Sequence, residues 1–286
     1  MIGARAAEAR TLQPVKTPGP ARRAAALTRE LAVSQFRLKY TGSVLGYLWS
    51  LLKPAAIFGI NFAVFAVLLK AGRNTVNFPL QLLYGIVLWG FFVETVGSAM
   101  GSIVANGHII RKAYFPRYIL IVAASVTASF TFIINFSLVT VGAAIAGGLD
   151  LGLRSLLVLP LIVELYLFIL GLSLILATFF VFYRDLGHIW DITSQVLFYG
   201  SAVVFPLIVV PATGHGINFR VLLAMNPMAQ IIEDVRHALV SAGPSVPASS
   251  DVLGVLSFVP LLIVAGILAI GTLVFRHESP RFAESV

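Results

Sequence analysis

The 286-residue chain contains no cysteine, so neither disulfides nor thiol chemistry contribute to it. Charge is scarce as well. Asp, Glu, Lys and Arg make up 11% of the residues, against about 25% in soluble domains. No G-x-x-x-x-G-K-S/T occurs, so the chain lacks the phosphate-cradling loop of an ATPase. The histidines (His108, His188, His215, His237 and His277) are scattered, and no His/Cys/Asp/Glu cluster has metal-ligand spacing. No Ser-His-Asp set assembles. If the protein moves something against a gradient, the energy comes from elsewhere.

What fills the chain instead is apolar sequence, at 58% hydrophobic residues and a mean hydropathy of +0.94. Six long stretches lie near 51–69, 79–105, 118–147, 155–182, 193–210 and 252–275. A helix needs about 20 mostly apolar residues to cross the hydrocarbon of a bilayer. Most of these stretches reach that length, and the fifth falls slightly short. The expected fold is therefore an all-α, polytopic membrane protein with six spans, forming one domain over 24–286. Residues 1–23 are expected to be a disordered cytoplasmic tail, rich in Pro, Ala and Arg. The first 25 residues hold Arg5, Arg10, Lys16, Arg22 and Arg23 but no apolar core, so no cleavable signal peptide is expected.

The net charge of +8 reads as topology and not as a nucleic-acid surface. With the N-terminus inside, 15 of the 20 Lys and Arg fall on the tail through Lys53, the 106–117 and 183–192 loops, and the C-terminal tail. The outer side keeps Lys70, Arg73, Arg154, Arg220 and Arg236. Both termini are thus expected in the cytoplasm, by the positive-inside bias.

Several features depart from plain apolar spans. Over 24–41, Leu27, Leu31 and Leu38 share one helical face while Arg29, Arg37 and Lys39 lie elsewhere, the pattern of an interfacial amphipathic helix. Lys53-Pro54 is expected at the start of the first span, where a proline costs little. Glu94 and Glu164 stand inside apolar runs and should face protein or water, since a carboxylate in lipid is expensive. Neither has an intramembrane base nearby in sequence. Residues 211–251 contain a segment too short and too charged to span, with Ile232, Val235 and Leu239 on one side and Glu233, Asp234 and Arg236 on others. It is expected to re-enter the outer leaflet as a gate.

Three local patterns point further. The first is Arg37-Leu-Lys-Tyr40 followed by Ser43-Val-Leu-Gly46-Tyr-Leu-Trp49 and Pro54. The second is Asn106-Gly-His-Ile-Ile-Arg-Lys112 leading into Tyr114-Phe-Pro-Arg117. The third is Tyr183-Arg-Asp-Leu186, with Asn226-Pro227 later. In this order, the chain from about residue 25 onward resembles the ABC-2 class of ABC transporter permeases. Within that class it resembles the Wzm/TagG-like subunits that export O-antigen, galactan or teichoic acid on a lipid carrier.

The resemblance implies a homodimer in the bacterial cytoplasmic membrane, with two copies of a separate nucleotide-binding ATPase subunit. That partner would carry ATP and Mg, and this chain would bind no cofactor and catalyse nothing. Docking to the ATPase is implied for His108, Ile110, Arg111, Lys112 and Tyr114, with Arg29 beside them and Arg184-Asp185 as a second contact. Ordinary positive-inside anchoring is the competing reading of these charges, and the two are compatible. The polymer channel is expected among Tyr84, Trp89, Phe91, Phe92, Phe198, Tyr199 and Phe205, whose ring faces suit sliding sugars. Arg37, Lys39 and Lys53 are the candidates for the carrier diphosphate, and Asn226, Pro227, Ile232 and Val235 for the outer gate. A drug or small-lipid exporter is the alternative within the class. A membrane-embedded transferase using Glu94 or Glu164 as base is the alternative outside it.

Overall fold

Helix is the only regular structure among the described residues of the computed structural model, which are 19–41, 46, 48–70, 75–112, 115–150, 152–210, 218–240 and 246–282. The expected tail, apart from its last few residues, lies outside them. Five helical segments are long and apolar enough to cross a membrane: Leu48–Leu68, Phe78–Ala105, Tyr118–Ile145, Leu153–Phe182 and Ser249–Arg281. We number the α-helices α1 Pro20–Tyr40, α2 Leu48–Asn61, α3 Phe78–Ala105, α4 Gly107–Lys112, α5 Tyr118–Ile145, α6 Val158–Phe182, α7 Leu186–Gly200, α8 Phe219–Ala224, α9 Pro227–Leu239, α10 Ser249–Leu253 and α11 Val259–Glu278. α2 continues as a π-helical stretch, Phe62–Leu68.

α3 is the centre of the molecule. Leu82, Leu88 and Val96 are wholly buried, and the helix packs against both α5 and α6. α11 lies along α6, and their backbones meet: a Cβ on Gly171 would stand 2.7 Å from Leu268 Cα, and one on Gly271 would stand 2.4 Å from the Gly171 carbonyl oxygen. Small residues at such a crossing let helices pack by van der Waals contact where lipid gives no hydrophobic drive. The bundle has two ends. At the α4 end, Ile103, Ile110, Leu120, Val181, Phe275 and Phe282 form one apolar cluster. At the α9 end, α9 is joined to the approach to α6 by Asp150 N–H donating to Leu239 O (2.9 Å) and Ser155 Oγ donating to Ala238 O (3.4 Å).

The amphipathic helix expected over 24–41 is α1, and it climbs the bundle. Leu31 packs on the α4-end cluster, Thr127 Oγ1 donates to Ala32 O (3.2 Å), and Phe36 meets Phe130 with ring centroids 6.1 Å apart. Pro54, expected at a helix start, is inside α2. Its missing N–H leaves the Ser50 carbonyl without the usual i+4 donor, and Asn135 Nδ2 donates there instead (3.2 Å).

The stretch expected as a span over 193–210 departs most from its apolar pattern. The helix ends at Gly200 and residues 201–206 are not helical, although Ser201, Ala202, Val203 and Val204 are buried. Hydropathy sees an unbroken run, whereas the backbone turns aside beside Pro206 and α9. α9 itself is too short to cross a bilayer, and nearly all of its residues are buried against α3 and α6.

Candidate functional site

At the α4 end, α4 is pinned by Ile110, which is buried in the apolar cluster. His108 is exposed on the same short helix. The two residues thus divide anchoring from display, and Ile110 is not available to a docking partner. Arg111 and Lys112 close α4 with side chains outside the described residues, and Tyr114 lies outside them altogether. Arg29 is exposed on α1. Arg184 and Asp185 are exposed at the turn between α6 and α7, with the Arg184 guanidinium 5.8 Å from the Phe180 ring centroid. Neither of that pair forms an ion pair among the described residues.

Glu94 has a partner that sequence proximity did not offer: Lys39 Nζ bonds its carboxylate. The pair joins the last turn of α1 to α3 at about 16 Å from the α4 end of that helix, at 1.5 Å per residue. Arg37 and Lys53 are exposed. Phe130 and Asn135, which receive α1 and α2, are five residues apart on α5, so the Arg37–Lys39 and Lys53 segments meet the same length of that helix on faces about 140° apart.

The second-span aromatics are core residues. Tyr84, Trp89, Phe91 and Phe92 are all buried, with Phe91 stacked on Phe132 (4.4 Å), Phe92 on Phe168 (5.6 Å) and Tyr84 Oη donating to Thr140 Oγ1 (3.2 Å). Rings enclosed by their own chain present no face to a sliding polymer. Phe198 and Phe205 are half-buried, and Tyr199 is 60% exposed on α7.

The α9 end is a polar assembly in an apolar setting. Asn226 caps α9, accepting from Met228 N (3.0 Å), and its Nδ2 donates to Gly200 O (3.1 Å) and Ser201 Oγ (3.0 Å). Pro227 occupies the first helical position, where no N–H is needed. Ile232 and Val235 are fully buried and serve as anchors, not as the lining of a mouth. Arg236 and Glu233, fully buried as well, form an ion pair at 3.2 Å. Arg236 further donates to the carbonyls of Gln81 (2.9 Å), Ala202 (2.8 Å) and Val203 (2.6 Å), and Glu233 accepts from Leu207 N (3.3 Å). Burial pushes the Glu233 carboxyl above its ordinary value, against the pull of the Arg236 charge. Asp234 accepts from Ser249 N (2.7 Å), Ser249 Oγ (2.8 Å) and Gln230 Nε2 (2.8 Å), and Glu164 faces Gln230 and Asp234. His237 Nδ1–H donates to Val246 O (2.7 Å).

Sequence reasoning passed over Arg236 and Glu233 as functional residues. The available signal was three charges in a 13-residue segment that is mostly apolar, with Glu and Arg three apart.

The family model described as ABC-2 type transporter matches residues 26–240, from α1 through the end of α9. The chain belongs to the ABC-2 type transporter family. This ABC-2 protein is a multi-pass membrane protein and, over most of its length, is similar to named permeases. It is 27% identical over 263 residues to the O-antigen export system permease protein RfbA of Myxococcus xanthus, covering 90% of this chain and 94% of that one. To RfbA of Klebsiella pneumoniae it is 24% identical over 253 residues, covering 87% and 90%. To the polysialic acid transport protein KpsM of Escherichia coli it is 23% identical over 234 residues, covering 82% and 88%.

Proposed function

We propose that this ABC-2 chain is the membrane subunit of an ATP-driven exporter that carries a polyprenyl-diphosphate-linked polysaccharide across the bacterial cytoplasmic membrane. The observation that carries the reading is the end-to-end similarity to permeases named for O-antigen and polysialic acid export. The charge bias orients the α4 end and both termini to the cytoplasm. Two ATPase subunits, which hold ATP and Mg, dock there on His108, Arg111, Lys112, Tyr114, Arg29, Arg184 and Asp185. Ile110 ties that docking surface to the bundle core.

The channel forms between two copies of the chain. α2 and its π-helical extension contain no buried residue, and α7 buries only Trp190 and Ser194. Helices so poorly covered by their own chain suit an interface with a second copy, which would line the path with Phe198 and Tyr199 of α7 and with Phe205 just beyond it. α7 with its break counts as the sixth crossing, and α8 to α10 re-enter from the outside. The carrier diphosphate meets Arg37, Lys39 and Lys53. Loss of the chain is expected to remove surface polysaccharide and to accumulate the carrier-linked glycan in the inner leaflet. Purification is expected to bring down a subunit with a Walker A loop. A chain that purifies without an ATPase, from cells whose surface polysaccharide is indifferent to its loss, overturns the reading.

A further inference from the structure

We propose that Arg236 is a positioning residue for export: it holds the non-helical break at 201–206, and this break is the joint that opens at the outer end. The inference rests on the exporter reading, with the α9 end facing outward.

The break poses a backbone problem. Where the chain leaves the helix at membrane depth, the carbonyls of the non-helical residues have no i+4 donors and must find others in a medium without water. Ala202 and Val203 find theirs in one guanidinium, whose planar fork presents five donors. The same side chain reaches Gln81 O on α3 and Glu233 on its own helix, so α3, α9 and the break share one buried charge. Glu233 then accepts from Leu207 N–H just beyond the break, and Asn226 Nδ2 donates to Gly200 O just before it and to Ser201 Oγ at its first residue. Both sides of the break are therefore gripped from α9.

Two further observations mark the contact as built. A Cβ at Gly85 would stand 2.6 Å from both Arg236 Nη2 and Val203 O, so α3 leaves room for this bond. Ala202 has φ +54°, a conformation an alanine keeps only where its surroundings impose it.

The packing says which side moves. α9 is bolted into the core, with Ile231, Ile232 and Val235 fully buried, whereas α7 is largely exposed. In the proposed dimer the second copy covers α7, so movement of one copy against the other shifts α7 relative to the fixed α9 and must be taken up at 201–206. Breaking the Arg236 bonds frees the joint. A lysine keeps a cation beside Glu233 but presents a compact point charge that cannot fork to several carbonyls.

The test uses the whole complex with its ATPase. Because the chain has no cysteine, Val203→Cys is the only thiol on this subunit, and a membrane-impermeant maleimide added from outside reads its exposure. Val203 is fully buried here, so labelling is expected to be slow without nucleotide and at least tenfold faster during ATP turnover. With Arg236→Lys added, fast labelling is expected without nucleotide and export is expected to fall tenfold or more. Assembly with the ATPase and ATP hydrolysis are expected to persist, which loss of a merely structural residue would not allow. Equal labelling with and without turnover overturns the proposal. So does an Arg236→Lys complex that exports and labels normally. If Arg236→Lys fails to assemble, the comparison with and without ATP decides alone. Turnover-dependent labelling in cells whose surface polysaccharide does not need the chain keeps the joint and removes the exporter reading.

Discussion

Exchanging the charges of Lys39 and Glu94 separates two roles for the pair. Each side chain is just over a third exposed. Unit charges 4 Å apart attract by about 4 kcal/mol at an effective dielectric constant of about 20. Solvent screening and the ordering of two side chains reduce exposed pairs to at most about 1 kcal/mol net, and we take about 1 kcal/mol here. Glu94→Gln should thus weaken the hold of α1 on α3 about fivefold, on the scale of tenfold per 1.4 kcal/mol. Lys39→Ala should do at least as much, since it leaves a carboxylate unpaired on a spanning helix. The double variant Lys39→Glu with Glu94→Lys restores the attraction with its polarity reversed. If the pair is only a tether, the exchange recovers both stability and export. If Lys39 also meets a diphosphate, the exchange places a carboxylate where the anion must bind. We expect recovery of thermal stability in detergent without recovery of export, measured as surface polysaccharide at matched complex levels. Full recovery of export refutes the carrier role of Lys39, and single variants with no effect on either readout refute the energetic reasoning.

Gly271→Ala sets a methyl 2.4 Å from the Gly171 carbonyl oxygen, so α6 and α11 must part; the overpacking cost is about 1–3 kcal/mol, and a purified variant that melts like the parent contradicts the contact. Trp89→Ala opens a hole in the core and should cost about 3–5 kcal/mol of stability. Tyr199→Ala, on an exposed face, should leave melting unchanged and reduce export; the opposite pattern would return the channel to α3. Asn226→Ala removes a helix cap worth about 1 kcal/mol and releases the Gly200 carbonyl, so amide hydrogen exchange should rise over 200–207, and protection equal to the parent's would disprove that link.

The long helices were legible because crossing length is a one-dimensional property. Near 79–105 and 118–147 the observed helices Phe78–Ala105 and Tyr118–Ile145 begin and end within two residues of the apolar runs. The helix over 24–41 was legible for a similar reason, from its leucine face, whereas its course up the bundle along α5 was not. The end of α7 was not. Its apolar run continues through the break, and the donors that make the break tolerable sit on Arg236, more than 30 residues further on. Glu94 looked isolated because its base is 55 residues upstream on another helix. The aromatics of α3 misled for a physical reason: Trp and Phe fill a core as readily as they line a path, and only packing distinguishes the two. Pro54 was misplaced by a start estimated three residues late, and its cost fell on the Ser50 carbonyl that Asn135 serves.

The meeting of Gly171 and Gly271 has a mechanical side. Side chains in contact yield by changing rotamer, and so make a bearing; two backbones in contact have nothing to rotate, and so make a weld. α6 and α11 are therefore joined near mid-length, between the α9 end and the α4 end. A push at Phe275 and Phe282 is then expected to be shared by both helices at that crossing.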